Sequence, residues 1–140
     1  MDITVKAVVQ APLAQAWECY TDPAHIVHWN AASDDWHCPR AESELRAGGR
    51  FCYRMEARDG SAGFDFEGRF EAVEPQRLIR YRFGDRQARV EFSPAPDGTR
   101  VRVDFQPENE YPLQAQRQGW QAILDRYAAY AAARAQGLDP

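Results

Sequence analysis

A chain of 140 residues with 44% apolar and 27% charged side chains has the composition of one soluble globular domain, unlike a disordered, collagen-like or coiled-coil chain. Its net charge is −4 and no basic block occurs; Arg and Glu/Asp interleave in RMEARD and RFEAVE, which argues against nucleic acid as a partner. No apolar run reaches the roughly 18 residues of a membrane span, and the opening MDITVKAVVQ lacks the long apolar stretch and small-residue cleavage pattern of a secretory signal. The three cysteines, Cys19, Cys38 and Cys52, are odd in number and form no CxxC, so they read as free thiols in a reducing cytoplasm.

The first segment, ITVKAVV, is rich in β-branched residues and predicts a strand from Ile3 to Gln10. Ala11-Pro12 opens a helix whose apolar residues Leu13, Ala16, Trp17 and Tyr20 recur at the spacing of one helical face. Thr21-Asp22-Pro23 ends it and starts a second short helix to about Trp29. The stretch NAASDDWHCPRA reads as a polar loop carrying Trp36.

From Glu42 to Phe105 the period becomes two. Phe51, Tyr53, Met55 and Ala57 alternate with Cys52, Arg54, Glu56 and Arg58, and Phe64, Phe66, Gly68, Phe70 and Ala72 alternate with charged residues. Ile79, Tyr81 and Phe83 follow, then Val90 and Phe92, then Val101, Val103 and Phe105. Five consecutive strands with short connections predict an antiparallel meander with one wet and one dry face. Past Pro112 the period returns to 3.6, and Leu113, Trp120, Ile123, Leu124, Tyr127 and Ala131 form a stripe on a long helix ending near Gly137.

A sheet with one dry face must be covered. The long helix is the obvious cover, yet a helix is only ~10–12 Å across. Six strands at ~4.8 Å spacing are about twice as wide when flat, so the sheet must curl round the helix. The fold class expected is therefore α+β: a bent antiparallel sheet of about six strands wrapped round a C-terminal helix, with two short N-terminal helices, in one domain spanning the chain. Between curled sheet and helix there is either an apolar cavity or a core filled by the nine dry-face aromatics. Gly68 on a central strand and Gly119 inside the helix are read as removing volume from that interior, or as places where backbone packs close against a ring.

The motifs HWN, DDWHCP, GGRF, YRMEA and GWQAILD, in this order, resemble the bacterial START-like (SRPBCC) superfamily, in its heat-shock-protein ATPase-activator-like branch. The resemblance runs from the first strand to the last helix. It implies the helix-grip fold, an antiparallel sheet gripping a long helix over an apolar cavity. The superfamily includes lipid and hormone carriers, polyketide cyclases and aromatases, and stress-linked proteins. A chaperone partner is one implication of the branch; the eukaryotic co-chaperone that names it carries an additional N-terminal domain with no counterpart in this sequence.

Trp17, Tyr20, Trp29 and Trp36 are candidates for a pocket rim, as amphipathic rings suited to flat apolar ligands, or else ordinary packing residues. Phe51, Tyr53, Met55, Phe64, Phe66, Tyr81, Phe83, Trp120, Ile123, Leu124 and Tyr127 are expected to line the interior. The hydroxyls of Tyr53, Tyr81 and Tyr127 can orient a ligand or bond to backbone. His25 and His28 share a helical face and with His37 or Cys38 are candidates for a zinc site, but no spacing matches a zinc signature, and structural histidines are the better reading. No nucleophile elbow, phosphate loop or triad is visible, and the dry face offers no carboxylate for acid–base work. The reading is thus a binder of a small aromatic or lipid-like molecule that performs no chemistry and needs neither metal nor cofactor, as monomer or homodimer. The alternatives are a small cyclase- or hydrolase-like enzyme using the same cavity, and an interaction module of the chaperone system.

Overall fold

The computed structural model describes residues 2–138. Strand β1 (Ile3–Val9) is followed by helices α1 (Leu13–Thr21) and α2 (Pro23–Trp29). Six strands come next: β2 (Trp36–Ser43), β3 (Arg50–Ala57), β4 (Gly63–Glu74), β5 (Leu78–Phe83), β6 (Arg86–Ala95) and β7 (Gly98–Phe105). Helix α3 (Leu113–Ala135) ends the fold. The seven strands form one antiparallel sheet in the order β1-β7-β6-β5-β4-β3-β2. This is the α+β helix-grip architecture. β1 and β2 are its two edges, so α1 and α2 carry the chain from one edge of the sheet to the other.

Two expectations about the sheet change. The loop read around Trp36 is in fact edge strand β2, which makes seven strands rather than six. Its segment WHCPRAES lacks β-branched residues, and a register shift between His37 and Arg40 interrupts alternation around Pro39, a residue tolerated at an edge or bulge. The second change is in β4, where a register shift between Phe70 and Ala72 places Ala72 opposite the exposed Arg80. Val73, not Ala72, then packs against the core. Elsewhere the alternation holds: Ile79, Tyr81 and Phe83 in β5 and Val101, Val103 and Phe105 in β7 are buried, and Leu78 at the start of β5 is buried as well.

α2 begins with its own cap. Asp22 Oδ1 accepts from the Ala24 amide at 2.9 Å and Pro23 occupies the first turn. In α3, Leu124, Tyr127, Tyr130 and Ala131 are buried, and Trp120 stacks on Phe105 with ring centres 3.9 Å apart. Leu113, expected on the buried stripe, lies before that contact and is 55% exposed. The free side of β1 is closed by α3: Arg117 Nη1 donates to the Thr4 carbonyl (2.7 Å), and the Gln121 amide donates to the Lys6 carbonyl (2.9 Å) while its oxygen accepts from the Lys6 amide (3.4 Å). Thr4 is also paired across the sheet with Asp104, whose carboxylate accepts from its hydroxyl.

Candidate functional site

α3 packs chiefly along β1 and α2 along β2, so the helices sit over the two edges of the sheet. The inner faces of the middle strands look into the space between them. There lies a cavity of about 330 Å³, within the ~300–1,000 Å³ range of small-molecule sites. Its floor is Phe51, Tyr53 and Met55 of β3, Phe64, Phe66 and Phe70 of β4, and Ile79 and Tyr81 of β5. Val5 and Val103 close one side, Trp120, Ile123 and Leu124 of α3 form the roof, and Tyr20, Thr21, Trp29 and Asn30 come from the α1–α2 corner. Leu45 and Arg86 complete the wall.

Gly68 stands beside this floor, against Phe51, for a reason the sequence left open. It pairs with Phe51, and a Cβ there would lie 2.9 Å from the Phe51 ring and 2.1 Å from the Arg82 carbonyl oxygen. The missing side chain lets backbone and ring approach each other rather than hollowing the interior. Gly119 is a different case: a Cβ on it would meet nothing within 4 Å, and it does not line the cavity, so it removes no interior volume.

The polar groups of the cavity are few. Burial pushes the hydroxyls of Tyr20, Tyr53 and Tyr81 above the ordinary phenol range, and Tyr20 raises the other two further; the nearby Arg86 charge pulls Tyr81 partly back. The three phenols therefore stay protonated at neutral pH and act as hydrogen-bond donors, not as bases. Thr21 Oγ1 is committed to the Trp17 carbonyl at 2.8 Å. Among the lining residues there is no carboxylate, histidine or cysteine, and Arg86 is the one charged side chain. An apolar chamber with a few fixed donors can hold and orient a guest; its walls supply neither nucleophile nor general base.

Eleven of the fifteen residues singled out from the sequence meet around this space: Tyr20, Trp29, Phe51, Tyr53, Met55, Phe64, Phe66, Tyr81, Trp120, Ile123 and Leu124. The other four stand outside its lining. Trp17 is buried against the Phe92 ring at 5.1 Å. Trp36, expected in a loop at the rim, lies on β2 beside Phe64. Phe83 is buried behind the wall with the Arg86 guanidinium 4.5 Å above its ring. Tyr127 is fully buried and donates its hydroxyl to the Ala16 carbonyl at 2.6 Å, the backbone-bonded alternative. Trp29, by contrast, both lines the cavity and donates its indole N–H to the Cys19 carbonyl at 2.9 Å, which fixes its ring.

Eight lining residues were not singled out: Val5, Thr21, Asn30, Leu45, Phe70, Ile79, Arg86 and Val103. Phe70, Ile79 and Val103 already stood on the dry face. Thr21, Asn30 and Leu45 come from helix ends and a connection, where no periodicity marks them.

Two of the histidines share Tyr130 and the third goes elsewhere. His25 Nδ1 is 2.6 Å from the Tyr130 hydroxyl, His28 stacks on the Tyr130 ring, and His37 Nε2 is 4.0 Å from Glu56. Cys38 is buried, donates to the Arg40 carbonyl, and is pushed up to about 11 by burial, so it stays a thiol. Two groups among the described residues could bring ligand atoms together for a cation, Glu18–Asp22–His25 and Cys52–Asp65–Glu67. Neither lines the cavity.

The family model described as "Activator of Hsp90 ATPase homolog 1-like protein" matches residues 10–132. The chain belongs to this family. It is a START-like protein of the branch that the sequence motifs resemble. An AHSA1-like protein from Aeromonas hydrophila, solved by NMR, is 39% identical, with a TM-score of 0.90 and 99% of this chain and 96% of that one covered. A protein of Cytophaga hutchinsonii is 38% identical, with a TM-score of 0.81 over 99% and 97% of the two chains. A Nitrosomonas europaea protein at 19% identity and TM-score 0.79, covering 96% of each chain, shares the fold. No protein of curated function matches. Among the described residues, no helix is long and apolar enough to cross a membrane.

Proposed function

We propose that the protein binds a small, largely apolar molecule, aromatic or lipid-like, in the cavity between the sheet and α3, without transforming it. The observation that carries this reading is the cavity itself: about 330 Å³ of space amid a family of rings that would otherwise close-pack. Aromatic faces from three neighbouring strands and from Trp120 suit a flat guest. The protonated phenols offer it directional hydrogen bonds.

Trp29 and Trp120 line the cavity, so intrinsic emission reads out occupancy directly. Titration with a panel of flavonoids, sterols and fatty acids should change that emission for at least one class. A ligand at a hundredfold excess over its Kd stabilises the fold by about 2.7 kcal/mol. For a domain of this size that raises Tm by roughly 7–12 °C. Ile123→Trp, which fills the space from the roof, should abolish both signals while leaving the far-UV circular dichroism unchanged. Unchanged emission and Tm across the whole panel would remove the carrier reading. The family description favours a second reading, stimulation of a heat-shock ATPase through the protein's surface. Here Ile123→Trp separates the two, since a surface interaction is indifferent to a filled cavity.

A further inference from the structure

We infer that the guest is an amphipathic monoanion, an apolar body bearing a carboxylate or equivalent acidic group, and that Arg86 recognises its charge; this rests on the cavity-binding reading above. The position of Arg86 sets it apart from the other arginines. It is the one charged residue in the cavity wall, and it also lines an adjoining open cleft beside Asp85, Glu108 and Glu110. Its guanidinium therefore stands at the boundary between chamber and solvent. Phe64, 50% exposed, lies at the same end of the sheet, because β4 and β6 run in the same direction and these two residues are near their starts.

The guanidinium is held in place but not neutralised. It rests 4.5 Å over the Phe83 ring, and Nη1 donates to the Gln106 carbonyl at 3.2 Å. No carboxylate among the described residues comes within 4.0 Å of it, although Arg54, Arg77, Arg82, Arg89, Arg102 and Arg126 all have such partners. A guanidinium carries five N–H donors, so most of its capacity stays open. No acidic side chain lines the cavity itself; Asp85, Glu108 and Glu110 line the adjoining cleft and form no ion pair with it within 4.0 Å. A fixed, half-buried cation at the end of an apolar chamber matches a ligand with its charge at one end. A charge-assisted bidentate contact adds direction as well as strength. Tyr81, within electrostatic reach of Arg86, supplies a protonated hydroxyl to the same cavity.

The test compares naphthoate with its neutral carboxamide, naphthamide, two probes of one shape, by tryptophan emission and calorimetry at pH 7. The wild-type protein should bind naphthoate about tenfold or more tightly than naphthamide. Arg86→Gln should erase that preference, weakening naphthoate far more than naphthamide. If Arg86→Gln does not fold, Arg86→Met, which keeps an apolar stem over Phe83, gives the same comparison. Equal wild-type affinities for the two probes, or a preference that survives loss of the charge, overturn the inference while the cavity reading stands. Failure of the wild-type protein to bind either probe removes both.

Discussion

Replacing Gly68 with alanine tests the packing that shapes the cavity floor. The added Cβ would sit 2.1 Å from the Arg82 carbonyl oxygen and 2.9 Å from Phe51 Cζ, against ordinary contacts of 3.4–4 Å. The ring can tilt away, but the carbonyl belongs to β5, whose pairing with β4 and β6 fixes it. Relief therefore requires strand displacement, and overpacking of this kind costs about 1–3 kcal/mol. Near 140 residues, each kcal/mol moves Tm by roughly 3–5 °C, so Gly68→Ala should melt about 3–15 °C below wild type in a circular-dichroism scan. Gly119→Ala supplies the opposite sign. Its Cβ meets nothing within 4 Å and lies within α3, so the gain of about 0.5–1 kcal/mol in helix propensity should raise Tm by roughly 2–4 °C. A Gly68→Ala protein melting within about 1 °C of wild type, measured beside a stabilised Gly119→Ala, would refute the reasoning that the floor is sterically fixed.

Tyr127→Phe removes a buried hydroxyl bonded to Ala16 from outside the cavity lining. It should cost about 1 kcal/mol in urea unfolding and leave ligand affinity unchanged; a changed Kd would place Tyr127 in the site. The Asp104 carboxyl is mostly buried, which by itself would raise its pKa, yet the Thr4 and Arg102 hydrogen bonds and the charges of Arg102 and Arg89 hold it below the ordinary range. Its ionised form thus stabilises the fold at neutral pH. That contribution fades as pH falls from about 4 through the lowered folded value. Asp104→Asn should therefore be about 1–2 kcal/mol less stable than wild type at pH 7, with the gap narrowing below pH 4. A gap of constant size across that range would show that the carboxylate charge is not the source.

The meander was legible because each of β3 to β7 buries one face against the core and wets the other, so side-chain chemistry follows the pleat. The same property made six of the cavity residues recognisable, Phe51, Tyr53, Met55, Phe64, Phe66 and Tyr81, while the 3.6-residue period of the helices marked Tyr20, Trp120, Ile123 and Leu124. Edge strand β2 escaped because its polar residues and Pro39 answer to its position, not to a dry face. Val73 escaped because a bulge changes which residue faces inward without leaving any mark in composition. Arg86 was invisible for a similar reason. Among so many arginines, only the hairpin that begins β6 and the helix roof opposite determine which one stands at the chamber wall. Gly68 and Gly119 looked equivalent on paper, and only their neighbours separate them.

The Arg117 and Gln121 side chains that cross to Thr4 and Lys6 occupy the outward-facing amide and carbonyl groups where an additional strand would otherwise zip on. At the opposite margin, Pro39 and the kink beside it spoil the ladder a newcomer would need. The seven-stranded layer is thus blunted on both flanks. If two copies of the protein associate, they should meet through side-chain surfaces and not by merging their sheets, and unfolding α3 should be what first exposes the β1 margin to aggregation.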